Sequence, residues 1–300
     1  MKKSIMQCIA SLLIFSAVMF SLTSCGNKDD TQANASTTTE TATVTEDASA
    51  GDNTSTEPLN QESSTAQNTQ TTTQKPSAPS SYEEILAVYT RVMNKAKADA
   101  PGFKMKEFQK LPGTSADRKI INGSAFIINN LLTIAGGFMT TEDKAEEIKK
   151  DPGSDMKWFP VAKNSKGCLL TDVSAIKDAK YQILSDGNAE ITIVLKDESQ
   201  AEPTPENTNA PLSKVGSMFY PLPVKTVVET AEGVPLLKVE NYDFVYHDCT
   251  AVLVFNPAND QVIKLDQTMA CRAYVKGSLG MSFEAEQEIY NYTKFWDLVY

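Results

Sequence analysis

Hydrophobic residues are spread unevenly along the chain, and three textures follow one another. Ile5 to Phe20 is an almost unbroken weakly polar to apolar run, whereas Asn27 to Ser80 holds only Val44 and Leu59 as large aliphatics and no aromatic residue. From Ser81 onward the apolar positions become periodic. Tyr82, Ile85, Leu86, Tyr89, Val92, Met93 and Ala96 recur at helical spacing on one face, and Ser81 with Glu84 forms an S-x-x-E capping box ahead of them. This helix should stop at Ala100-Pro101-Gly102, because proline biases its predecessor out of the helical region and glycine releases the turn. Alternation from Phe103 to Leu111 then predicts a strand. A second helix is expected from Gly123 through Ala125, Phe126, Ile127, Ile128, Leu131, Leu132 and Ile134 toward Gly136-Gly137. It is apolar on most of its surface, so it is either buried at the centre of a domain or lines an apolar cavity. Thr141 to Lys150 reads as a short, charged, exposed helix ended by Asp151-Pro152-Gly153.

After Trp158 the period shortens to two. Lys180 to Leu184 and Glu190 to Leu195 flank Ser185-Asp186-Gly187-Asn188, a turn whose Asp-Gly pair tolerates the positive backbone angles a hairpin needs. Ile191, Ile193 and Leu195 share one face of the return strand. A second hairpin is predicted from Tyr242 to Phe255 and Gln261 to Val275, turning at Asn256 to Asp260. Its return strand should point Ile263, Leu265, Met269, Cys271, Ala273 and Val275 inward. Ser282 to Tyr292 sets Glu284, Glu286 and Glu288 against Phe283, Ala285 and Ile289, the alternation of a half-exposed strand. Helices grouped early and strands grouped late predict an α+β fold: N-terminal amphipathic and apolar helices packed on a twisted antiparallel sheet of hairpins, following a disordered tether. There is no internal repeat, and the βαβ alternation of nucleotide-binding folds is missing.

The textures divide the chain into a signal segment (1–24), a tether (25–80) and a single globular domain (81–300). Lys2 and Lys3 precede the apolar run, which at roughly 17 residues is short for a permanent span and ends in small residues, the layout of a secretory signal. Its last element, Leu22-Thr23-Ser24-Cys25, resembles the lipobox of bacterial lipoproteins. The resemblance implies diacylglyceryl transfer to the Cys25 thiol, cleavage before Cys25 and a further acyl chain such as palmitate on the freed amine. Two or three acyl chains, at about 0.8 kcal/mol per buried methylene, would hold the protein stably on the extracytoplasmic face of the cell membrane. The alternatives are a simple secretory signal with an incidental cysteine and an uncleaved N-terminal span. The tether cannot bury enough apolar surface to offset its ordering entropy. As a flexible coil it would reach roughly 40 Å, a spacer that lifts the domain off the membrane or a linker with no further task.

Charge and cysteine content narrow the chemistry. A formal net charge of −10, with no basic face, disfavours nucleic acid as a partner. The one histidine, His247, stands in Tyr246-His247-Asp248-Cys249. On a regular strand His247 and Cys249 would share a face and Asp248 would not, a poor arrangement for nucleophilic catalysis. Cys249 and Cys271 lie on opposite arms of the second hairpin, both inward, so a disulfide between them and a pair of buried free thiols are the two open readings; Cys168 reads as a small core residue. One histidine and no C-x-x-C leave too few zinc ligands. Asp197, Glu198, Glu202 and Glu206 lack the spacing of a calcium loop and read as a solvated loop. No phosphate-binding glycine loop, nucleophile elbow or metalloprotease helix occurs. No metal, no cofactor and no enzymatic activity are therefore expected.

The segment ending in Ala100-Pro101-Gly102-Phe103, and the stretch from Leu170-Thr171-Asp172-Val173 to Ile191-Thr192-Ile193-Val194-Leu195-Lys196-Asp197, resemble domains of uncharacterised surface lipoproteins of clostridial-type Gram-positive bacteria. That resemblance carries no known activity. Tether and apolar helix together suggest a non-enzymatic binding protein for a small or hydrophobic envelope ligand. The alternative is an envelope interaction or structural module that binds a protein partner or wall glycan, for which an exposed patch of Tyr290, Tyr292, Trp296 and Tyr300 would be the mark. Core packing of those aromatics is the competing reading.

Overall fold

The computed structural model describes residues 78–112, 118–125, 128–129, 140–225, 229 and 237–300. The signal segment, nearly all of the tether, and most of the expected second helix lie outside the described residues.

The first helix forms as its pattern predicts. Helix α1 (Tyr82–Asp99) starts at Ser81, whose side chain accepts a hydrogen bond from the Glu84 amide at 3.2 Å while Glu84 accepts one from the Ser81 amide at 3.2 Å. Ile85, Leu86, Tyr89, Val92, Met93 and Ala96 are buried, whereas Tyr82 at the first turn is exposed. The helix ends on Ala100 in the left-handed conformation, its amide donating to the Ala96 carbonyl at 3.1 Å. Lys97 is buried as well, which the stripe did not foretell. Its ammonium donates to the carbonyls of Met156, Val161 and Asn164 at 2.9, 3.0 and 2.8 Å, fastening the 156–164 loop to the helix.

Among the described residues, nine strands form one antiparallel sheet and one long helix, α1, packs against it, a sheet-rich fold. The strands are β1 (Gly102–Lys110), β2 (Arg118–Asn122), β3 (Ile148–Lys150), β4 (Ile176–Ile183), β5 (Ala189–Leu195), β6 (Glu198–Ser199), β7 (Leu237–Asn256), β8 (Gln261–Leu279) and β9 (Ser282–Val299). Their order is β3-β1-β9-β8-β7-β5-β4, with β2 also on β9 and β6 also on β7. Both predicted hairpins are present. The first closes with Leu184 donating to Asn188 at 2.8 Å and Gly187 at φ 85°, and the second with Asn256 opposite Gln261.

One face of the sheet is dry. Ile191, Ile193 and Leu195 of β5, Ala251, Leu253 and Phe255 of β7, and Leu265 of β8 are buried with the α1 stripe in a single core. Each such aliphatic side chain contributes about 1.5–3 kcal/mol when withdrawn from water. Phe103, Phe159 and Phe295 extend this core toward β1 and β9 through tilted and edge-on contacts, with centroids 5.0–6.0 Å apart.

Two local expectations are corrected. Thr141 to Lys150 is not a helix: its start is a turn, with Lys144 and Ala145 donating to the Thr141 carbonyl, and its end is β3, paired with β1. The segment has no apolar stripe to dock a helix, while the edge of β1 offers hydrogen bonds. Ile263 does not point inward but is 40% exposed, and Val262 takes the buried place opposite Phe255. A register shift between Val254 and Phe255 leaves Ile263 as an extra residue, so alternation cannot be counted through it.

Candidate functional site

The opposite face of the sheet is built from the alternate residues of the same strands. Register fixes which of them stand in rows. Thr192, Val252, Asp266, Lys294 and Lys106 make one row across β5, β7, β8, β9 and β1; Val194, Thr250, Thr268, Tyr292 and Phe108 make the next. His247, Ala270, Tyr290 and Lys110 form a third, and Val245, Arg272 and Glu288 a fourth. Among the described residues no helix lies over these rows, and most of their side chains are half-buried.

At the β1–β9 side the rows carry an aromatic groove. Tyr292 stacks on Phe108 with ring centroids 4.9 Å apart and an interplanar angle of 14°, and Phe108, like Ala270 in the next row, is buried. Lys110 Nζ lies 5.2 and 5.1 Å from the Phe108 and Tyr292 centroids, and Lys294 Nζ lies 5.3 Å from Phe108, within the range of cation–π attraction. The turn at 141–145 forms the facing wall. It is tied to β1 by the Gln109 amide donating to the Thr140 carbonyl at 2.8 Å and the Thr140 amide donating to Gln109 Oε1 at 3.1 Å. Glu142 on that wall approaches Lys110 at 3.0 Å and Lys294 at 3.7 Å. The hydrogen bond from Lys110 holds the Glu142 carboxyl below its ordinary range. Tyr290, Tyr292 and Gln109 to Pro112 on one side and Thr141 to Asp143 on the other line an open groove of about 500 Å³. Its composition, ring faces and aliphatic stems rimmed by amide, hydroxyl, amine and carboxylate groups, suits a ligand that is apolar on its flat face and polar at its edge.

Beside the groove lies a chain of charges. His247 Nδ1 sits 2.9 Å from Asp248 Oδ2, and its Nε2 sits 2.8 Å from Glu288 Oε2. Arg272 Nε donates to Glu288 at 2.8 Å, and Lys177 Nζ donates to Asp248 at 3.1 Å. The imidazole reaches from β7 to β9 because the residue between them on β8 is the small Ala270. Burial pushes the His247 pKa down, but the hydrogen bonds to Asp248 and Glu288 outweigh it and leave it raised. The bonds from His247 and Lys177 lower that of Asp248.

A β-bulge decides this arrangement and corrects the reading of Tyr246 to Cys249. His247 opposes Ala270 and Thr250 opposes Thr268, so two residues of β7, Asp248 and Cys249, stand against Met269 alone. Asp248 takes φ 48°, which swings its carboxylate back to the imidazole, while Cys249 is buried in the core. His247 and Cys249 thus lie on opposite faces, and His247 and Asp248 meet. Cys249 and Cys271 are both buried and inward as expected, and both are free; Cys271 opposes Tyr246, not Cys249. Burial raises both thiols far from the reactive range, Cys271 to about 12. Cys168 is a buried free thiol that accepts a hydrogen bond from the Thr90 hydroxyl at 3.4 Å.

The remaining candidates fall as follows. Cys25 lies outside the described residues. Glu198 caps the Lys214 and Val215 amides at 3.1 and 2.7 Å, and no group of His, Cys, Asp and Glu among the described residues is arranged to hold a metal ion. Of the four aromatics, Tyr290 and Tyr292 line the groove, Trp296 is half-buried on the same face, and the Tyr300 hydroxyl accepts from the Val262 amide at 2.7 Å. Phe108, Lys110, Glu142, Arg272 and Glu288 were missed as site residues. The alternation of Lys106, Phe108 and Lys110 and of Glu284, Glu286 and Glu288 was the available signal, but pairing partners are needed to read it. No family of known proteins, no curated protein and no solved structure matches the chain.

Proposed function

We propose that this protein is a membrane-anchored extracytoplasmic lipoprotein, acylated at Cys25, whose domain binds wall glycan without catalysing a reaction. The carrying observation is the ring of Tyr292, seated on buried Phe108 beside Tyr290 in the open groove of the outer face. A sugar ring offers C–H bonds on its faces and hydroxyls and amides at its edge, complementary to an aromatic floor and a polar rim. The lipobox and polar tether support this reading, since they would place the groove within reach of the wall. A small hydrophobic envelope ligand fits the groove less well, because lysines and Glu142 crowd its rings. The apolar stretch that motivated such a chamber lies mostly outside the described residues.

The test is titration of the full chain with N-acetylglucosamine oligosaccharides and solubilised wall fragments, followed by tryptophan and tyrosine fluorescence and by sedimentation with insoluble wall. Saturable binding is expected, weakened at least tenfold by Tyr292→Ala and little changed by Thr192→Ala on the same face. Absence of binding to any of these glycans, or equal binding by Tyr292→Ala, overturns the reading. Labelling with radioactive palmitate, abolished by Cys25→Ser, tests the anchor.

A further inference from the structure

Both nitrogens of the His247 ring face carboxylate oxygens at hydrogen-bond distance. A neutral imidazole carries one N–H and one lone pair, so it can satisfy only one of the two. The other would set a lone pair against a carboxylate. The arrangement is complete only with an imidazolium that donates from both nitrogens. The side chains of His247 and Glu288 are only 13% and 17% exposed, so water competes poorly for the bond between them, whereas the Asp248 carboxylate is 62% exposed.

We propose that His247 is a proton-operated latch that fastens β7 to β9 across Ala270. The groups that face it are Asp248 on β7, Glu288 on β9, Arg272 on β8 and Lys177 on β4, with Tyr290 opposite Ala270 in the same row. Counting Lys177, Asp248, His247, Glu288 and Arg272, the chain of charges carries +1 when the latch is closed. Loss of one proton to water makes it neutral and leaves a lone pair facing one carboxylate. One of the two bonds breaks: either the tie to Glu288 on β9 opens, or the bulge at Asp248, in a left-handed conformation, is left with Lys177 as its side-chain partner. The same row leads directly to Tyr290. The latch does not depend on glycan binding and can be tested without any ligand.

His247 is the sole histidine of the chain, so its ring signal is unambiguous in the full protein labelled with 13C-histidine. NMR titration should give a midpoint above that of an ordinary histidine, falling toward it in both Glu288→Gln and Asp248→Asn. Near or below the midpoint both ring N–H protons should be visible. Amide exchange at Cys249 and Thr250, corrected for base catalysis, should quicken by about tenfold as the pH crosses the midpoint, and His247→Gln should remove that step. An ordinary midpoint, a midpoint indifferent to both substitutions, or exchange without a step overturns the latch.

Discussion

The two faces of the sheet use the same strands for opposite purposes. Toward α1, alternate residues of β5 and, from Phe244 onward and apart from its bulge, of β7 are apolar side chains or tyrosine removed from water, and geometry there follows from close packing. On the far face the alternate residues are Thr, Val, Lys, Glu, Tyr and Arg, ordered by cross-strand pairing rather than by exclusion of water. Stability should therefore reside on one face, and recognition and response to acidity on the other. A sheet needs only one buried face to fold, which leaves the second free to carry chemistry.

The sharpest way to break this division is a pair of neighbours on β5. Ile193→Ala, on the dry face, should cost about 3–4 kcal/mol in urea unfolding, whereas Thr192→Ala beside it should stay within about 0.5 kcal/mol. Comparable costs would refute the asymmetry. Lys97→Met comes next. It removes the ammonium that satisfies three buried carbonyls and should cost roughly 3 kcal/mol, a fall in Tm on the order of 10 °C. Burial lowers the Lys97 pKa to about 8, so the ammonium still predominates at neutral pH.

On the wet face the expected effects are smaller and depend on pH. The His247 pKa is raised on folding, so its contribution is fully present below about 6.5 and is lost as the pH rises through the folded midpoint. The Asp248 pKa is lowered, so its contribution is present above about 3.9 and disappears only in stronger acid. Glu288→Gln should therefore cost about 1 kcal/mol near pH 5 and less in mild alkali, measured by denaturation at both pH values. A cost independent of pH would show that Glu288 acts through packing alone. Of similar size but insensitive to pH in that range, Ser81→Ala should lose about 1 kcal/mol through the missing cap on α1.

Periodicity made the dry face legible. The α1 stripe with its capping box, the Asp186-Gly187 hairpin and the inward set of β5 are local patterns repeated over several residues, and the structure contains them. What local pattern cannot supply is partnership between strands. Phe108 and Tyr292 are 184 positions apart, and His247 and Glu288 are 41 apart; only the order β1-β9-β8-β7 brings each pair together. Irregularities defeat counting as well, since one extra residue at Ile263 and another at Asp248 each offset the alternation that a strand reading assumes. Lys97 escaped because its partners are main-chain carbonyls of a loop, and any sequence provides those.

The additional residue at Asp248 has a simple arithmetic consequence. Shortening the chain by that one position would let β7 run without interruption against β8, and His247, Cys249 and Thr250 would each keep the side of the sheet they occupy now. The ladder would be more regular and the hydrophobic interior unaltered. The carboxylate embracing Nδ1 would vanish, and with it the tie to Lys177. This deletion should therefore yield a protein that folds as well as the parent but holds its imidazolium through Glu288 alone, so that its stability changes less between mildly acidic and neutral surroundings.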